Sequence, residues 1–151
     1  MTNTFANCRM KAYSTIGECY LERENENMKR LPDSELEIMM IIWEFNRPVT
    51  RFEIEAEMGE GRTITSTTLL TFLARLQEKG FLAVEKMGKN NLYSPLVEQE
   101  VYMQKESKNI LKRLYRNSAR NFLAALYDGN NLSQDDLKEL EEYIRMKREE
   151  E

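Results

Sequence analysis

From Met28 onward the chain is built of blocks with clear helical or strand periodicity. Residues 1–27 hold no sustained period and close on the polar run Glu22-Arg23-Glu24-Asn25-Glu26-Asn27. This contrast predicts a disordered N-terminal extension over residues 1–27, with Met28 as the expected biological start. Beyond it, Leu36, Met39, Met40 and Trp43 recur at i, i+3, i+4 and i+7, and Ile38, Ile41 and Ile42 fill the gaps. The pattern predicts a first helix buried on most sides, capped by Asp33 or Ser34 and ending before Asn46-Arg47-Pro48. Thr50 and Glu53 have capping-box spacing and open a second helix to about Met58, with Phe52, Ile54 and Met58 as its apolar positions. The turn Gly59-Glu60-Gly61 separates it from a third helix that begins near Thr65 or Ser66. The apolar stripe of that helix is Leu69, Phe72, Leu73 and Leu76, and Gly80 stands where a left-handed residue ends it.

After Gly80 the period changes to two. Residues 81–86 and 91–96 read as short strands, and Met87-Gly88-Lys89-Asn90 supplies the turn of a hairpin. Leu82 and Val84 alternate with Ala83 and Glu85, so one face is wet, and Pro95 restricts the second strand to an edge or a strand end. From Val97 to Tyr127 the pattern is helical again, with a break expected near Asn117-Ser118. Ser133 and Asp136 then cap a last helix whose stripe is Leu137, Leu140 and Ile144. These segments carry apolar positions that the preceding domain has no need of, and a second copy of the chain is the simplest cover for them.

Composition removes several classes of function. The chain of 151 residues has no histidine, which excludes Ser-His and Cys-His nucleophiles and His-ligated metals. Its two cysteines, Cys8 and Cys19, are too few for a disulfide framework or a closed zinc site, and ten residues of polar chain between them make a weak case for a redox or metal switch. No apolar run approaches the roughly 18 residues needed to span a bilayer, and no secretory signal is apparent, so a cytoplasmic protein is expected. There is no glycine-rich phosphate loop, and the carboxylates of residues 33–60 are scattered; an enzyme is not expected, nor is a cofactor. The net charge of −4 argues against a nucleic-acid partner until it is divided along the chain. Residues 62–127 hold 11 basic and 5 acidic groups, whereas residues 31–61 hold 2 and 8. Screening makes phosphate attraction local, so an acidic chain can present a basic face.

Three helices followed by a hairpin is the order of a winged helix-turn-helix. The fold class expected is mainly α with a small β hairpin (α+β), with a winged-helix DNA-binding domain over residues 28–97 and a helical dimerisation region over residues 98–151. In that geometry the third helix enters the major groove and the hairpin flanks the backbone. Its exposed face is Ser66, Thr67, Thr68, Thr71 and Arg75, with Leu70 at the margin; the hairpin adds Lys86, Lys89 and Asn90, with Asn91 beside them. Hydroxyls bond to phosphates or base edges, arginine bonds guanine bidentately, and apolar groups meet the thymine methyl. Each residue also has a plainer reading as solvated surface, and winged helices also serve as protein-interaction modules without sequence-specific DNA binding. The dimer positions expected from helical spacing are Tyr102, Leu111, Leu114, Tyr115, Phe122, Leu123, Leu126, Leu137, Leu140 and Ile144.

Several segments stand out together: Leu31-Pro32-Asp33-Ser34-Glu35-Leu36-Glu37-Ile38-Met39, the Ile42-Trp43 pair, Leu73-Ala74-Arg75-Leu76 with Lys79-Gly80-Phe81, Leu92-Tyr93-Ser94-Pro95-Leu96-Val97, Ser107-Lys108-Asn109 and Leu132-Ser133-Gln134-Asp135. With these the chain resembles the BlaI/MecI/CopY group of penicillinase, methicillin-resistance and copper-responsive repressors. The match runs from residue 31 to about 147 in one register. The resemblance implies a homodimeric repressor on a palindromic operator, with Thr67, Thr68, Leu70, Thr71 and Arg75 at the positions of the family's DNA contacts. The best-known members carry basic residues in place of Thr67 and Leu70, so their operator sequence does not transfer.

The resemblance also implies two modes of induction. Copper-type members carry a C-terminal cysteine cluster, and Glu139–Glu151 has no cysteine. In the penicillinase type, a membrane metalloprotease receptor triggers cleavage of the linker helix after an asparagine. The matching bond here is Asn109–Ile110, with isoleucine where those repressors have phenylalanine. A solvated asparagine on a dimer helix is the alternative reading of that position.

Overall fold

The computed structural model describes residues 28–59 and 64–151. The expected N-terminal extension, with Cys8 and Cys19, lies outside the described residues. The elements in chain order are α1 (Asp33–Phe45), β1 (Val49–Thr50), α2 (Arg51–Glu57), α3 (Ser66–Glu78), β2 (Leu82–Met87), β3 (Asn90–Pro95), α4 (Gln99–Tyr115), α5 (Ala119–Asp128) and α6 (Gln134–Glu149). They fall into two compact units that divide between Lys105 and Glu106. Among the described residues no helix is long and apolar enough to cross a membrane.

The first unit is a winged helix: a helical bundle closed by a three-stranded antiparallel sheet of order β1-β3-β2. Its core joins Leu31, Ile38, Met39, Ile42 and Trp43 to Val49, Ile54, Leu69, Leu73, Leu76, Phe81, Leu82 and Tyr93. The inward residues of α3 are Leu69, Leu73 and Leu76, the i, i+4, i+7 rows expected of a helix with one covered face. Gly80 at φ 82° ends the helix in the left-handed region, where a Cβ would strain the backbone. Gly88 at φ 63° opens the two-residue turn between Met87 and Asn90, which pair across the wing, as a twisted hairpin requires.

Local expectations meet four corrections here. The N-cap of α1 is Pro32, with no side-chain cap; Asp33 and Ser34 lie inside the first turn, where acidic Asp33 faces the positive end of the helix dipole. The buried face of α1 includes Glu35 alongside Ile38, Met39, Ile42 and Trp43, while Leu36, Met40 and Ile41 form a half-buried flank. Phe52 is 54% exposed, and Ile54 is the buried residue of α2. Finally, β3 is the central strand because Val49 pairs with Tyr93 and Thr50 with Leu92. The third strand, β1, is the correction; Pro95 itself stands at a strand end, one of the two places its missing N–H allowed.

Tyr102 is also placed otherwise than helical spacing suggested. It is 4% exposed and lies in the core of the first unit, not on a free dimer face. Its ring is 5.8 Å from those of both Trp43 and Phe81, and its hydroxyl accepts a hydrogen bond from the Leu31 N–H at 3.1 Å. Lys105 Nζ donates to the Met28 carbonyl at 2.6 Å, so the first turns of α4 belong to the winged helix.

In the second unit the helical run breaks where the sequence predicts. Arg116 and Asn117 have φ 50° and 64°, and the Ser118 hydroxyl accepts from the Asn121 N–H to start α5. Tyr115 and Phe122 pack edge to face across that break, with centroids 5.2 Å apart. Ser133 and Asp136 complete the capping box of α6. Hydrogen bonds from the Ser133 hydroxyl and N–H hold the Asp136 carboxyl below its ordinary value.

Candidate nucleic-acid interface

The surface opposite the α3 core is set by helical geometry. With Leu69, Leu73 and Leu76 inward, Thr67, Thr71 and Arg75 stand in one row at i, i+4 and i+8, beside Ser66, Thr68 and Leu70, and all six are exposed. The helix begins at Thr65, whose hydroxyl accepts from the Thr68 N–H at 3.2 Å and lies 2.9 Å from the Thr68 hydroxyl. Thr71 donates its hydroxyl to the Thr67 carbonyl at 3.0 Å, a bond that favours one rotamer of the side chain. The Arg75 guanidinium carbon is 5.9 Å from the Phe72 ring centroid, a loose cation–π contact at the end of a long, exposed side chain.

Lys86, Lys89 and Asn90 are exposed on the wing. Of the nine residues expected to form the site, the structure brings Leu70, Lys89 and Asn90 together around one groove of about 240 Å³. Arg51, Phe52, Asn91 and Tyr93 complete its walls. Arg75 and Lys86 do not line it. Arg51 and Phe52 were not among the expected site residues, although the Thr50–Glu53 capping box already places Arg51 at the first, outward-facing position of α2.

The same capping box fixes the attitude of α2. Thr50 N–H and hydroxyl donate to Glu53 Oε2 at 2.8 and 3.1 Å, and Arg47 Nη2 donates to Glu53 Oε1 at 2.6 Å. The Arg47 hydrogen bond first, and then the Thr50 N–H, hold the Glu53 carboxyl down to about 2.

The wider chain fits this geometry. Residues 31–146 match the family described as penicillinase repressor. The penicillinase repressor of Bacillus licheniformis is 30% identical over 75% of this chain and 90% of its own length. The methicillin resistance regulatory protein MecI of Staphylococcus aureus (strain N315) is 28% identical over 78% of this chain and 94% of its own. The solution structure of the DNA binding domain of the repressor BlaI is 31% identical, covers 50% of this chain and 90% of that chain, and superposes with a TM-score of 0.45. The chain belongs to the penicillinase repressor (BlaI/MecI) family of winged-helix transcriptional repressors, and is not an enzyme.

Proposed function

We propose that the protein is a repressor that binds a palindromic operator as a homodimer. Residues 28–97 contact DNA, and residues 98–151 dimerise, apart from Tyr102 and the turn around it. The observation that carries the DNA reading is the outward row of Thr67, Thr71 and Arg75 beside the wing, in a stretch with 11 basic and 5 acidic groups. Ser66, Thr68 and Leu70 complete the base-facing surface, and Lys86, Lys89 and Asn90 the phosphate-facing one.

Support for the homodimer comes from the second unit. None of its residues is buried: Leu111, Tyr115, Phe122, Leu123, Leu126, Leu137 and Leu140 are half-buried, Leu114 is 61% exposed and Ile144 50%. A symmetric partner would cover that surface. The same scheme offers a switch. The Asn109–Ile110 bond lies in α4 with Asn109 exposed, and its cleavage, triggered by a membrane metalloprotease receptor, would sever the two halves and end bivalent binding.

Gel shift on the chain's own upstream region tests the reading. Specific binding weakens steeply as salt rises, and Arg75→Ala lowers the preference for that fragment over unrelated duplex by about 10-fold. Equal binding of both duplexes by wild type and variant would refute base reading by α3. Association with a protein partner that ignores salt, without duplex binding, would favour the interaction-module reading.

A further inference from the structure

The groove between α2, α3 and the wing holds a combination that the winged-helix plan does not require. Its flanks carry two cations, Arg51 and Lys89; its surface includes the aromatic rings of Phe52 and Tyr93 and the Leu70 side chain; and Asn90 and Asn91 contribute amides. No carboxylate lines it. Phe52 and Leu70 are large apolar residues left open to solvent, on a face where solubility would favour polar groups. The guanidinium of Arg51 lies over the Phe52 ring, 4.6 Å from its centroid, and 3.6 Å from Glu55 Oε1. That ion pair holds the arginine beside the ring without spending a guanidinium N–H on Glu55 Oε1, which receives no hydrogen bond.

We infer that this groove seats one strand of the operator backbone, with a phosphate held between Arg51 and Lys89 and the adjoining deoxyribose against Phe52 and Leu70. The inference rests on the DNA-binding reading above and adds Arg51 and Phe52 to it. Charge complementarity selects the occupant: two cations line the groove while the one carboxylate beside Arg51, Glu55, stays outside its lining, which matches a phosphodiester, and the apolar patch matches the sugar carbons beside it. Continuity points the same way. Leu70 belongs both to the groove and to the exposed face of α3, and Lys89 and Asn90 belong both to the groove and to the wing tip. A strand lying along this face would therefore touch helix and wing at once. Arg51 carries no sequence information in this role; it fixes the register of the helix on the duplex.

The experiment measures binding of the full chain to its own upstream duplex and to an unrelated duplex across a salt series. Arg51→Gln, Lys89→Gln, the double variant, Arg51→Lys and Arg75→Ala are compared with wild type. Each lost phosphate contact reduces the slope of log affinity against log salt by about 0.9. Arg51→Gln and Lys89→Gln are expected to flatten the slope by about one each, and together by about two, on both duplexes alike. Arg51→Lys keeps the slope, while Arg75→Ala weakens the specific duplex selectively. Circular dichroism and thermal melting of each variant confirm that the surface changes leave the fold intact. If Arg75→Ala loses specificity while Arg51→Gln matches wild type in affinity and slope, the groove assignment fails and the DNA-binding reading stands. If wild type binds neither duplex, both fail. An Arg51→Gln loss confined to the specific duplex would also overturn the backbone assignment, because phosphate contacts weaken both.

Discussion

The Lys79 ammonium donates a hydrogen bond to the Glu35 carboxylate, joining the C-terminal cap of α3 to the first turn of α1 across 44 residues of chain. Glu35 is 2% exposed, so the ammonium supplies the contact that water does not. Removing the ammonium with Lys79→Met leaves a buried carboxylate unpaired and is expected to cost about 3 kcal/mol, the lower end for buried pairs because Lys79 keeps some solvent contact. Urea unfolding checks it. A loss no greater than about 0.5 kcal/mol would show a surface-like pair. Replacing both residues with leucine and methionine should recover much of the loss, since the desolvation cost of both charges disappears.

Acid acts on a different pair. Glu53 has a folded value of about 2 against its ordinary 4.5, so the folded state favours the carboxylate. The stability from that preference is fully present above about pH 4.5 and fades as pH falls toward 2. The unfolding free energies of wild type and Glu53→Gln should therefore converge across that window. A constant difference between them down to pH 2 would mean that the charge plays no part. Thr50→Ala, which removes the hydroxyl of the same box, should cost about 1 kcal/mol at neutral pH.

Tyr102 belongs to the stability of the winged helix. Tyr102→Phe removes the acceptor of the Leu31 N–H and is expected to cost about 1–2 kcal/mol, as a buried donor left unpaired does. Sedimentation should find the oligomeric state of Tyr102→Phe unchanged. A shift to monomer with unchanged thermal stability would return this residue to the dimer interface.

Leu114 and Ile144 carry the opposite expectation. Leu114→Glu and Ile144→Glu place charge on exposed apolar positions, so the isolated fold tolerates them, while a homodimer does not. Sedimentation should show a dimer for wild type and monomers for the variants at the same concentration, and operator affinity should fall by roughly 100-fold as bivalency is lost. Dimers of undiminished strength would locate the interface elsewhere.

What the sequence makes legible is what lies within a few residues. The Thr50–Glu53 and Ser133–Asp136 boxes, the Leu69, Leu73 and Leu76 rows, the break at Asn117-Ser118 and the Gly88-Lys89 turn follow from neighbours at short spacing, and the structure forms each of them. Glu35 is different: an acidic residue on a helix reads as solvated until the chain brings Lys79 to it. Likewise β1 has only two residues, Val49 and Thr50, too few to show a period, and exists because β3 offers a partner. Phe52 and Tyr102 were misplaced for the same reason. Spacing says that a residue is apolar and on a face, not whether anything covers that face. In the candidate site, the α3 row was readable from its own period, whereas Arg51 enters only through the tertiary approach of α2 to the wing.

Trp43 is the only tryptophan of the chain. Its indole N–H donates to the Val97 carbonyl at 2.9 Å, and its ring meets Tyr102, one contact just before α4 and one in its early turns. The molecule thus contains a built-in optical probe at the seam where helix leaves domain. A shift of its emission toward longer wavelength reports that seam opening to water, before any global melting and without a label.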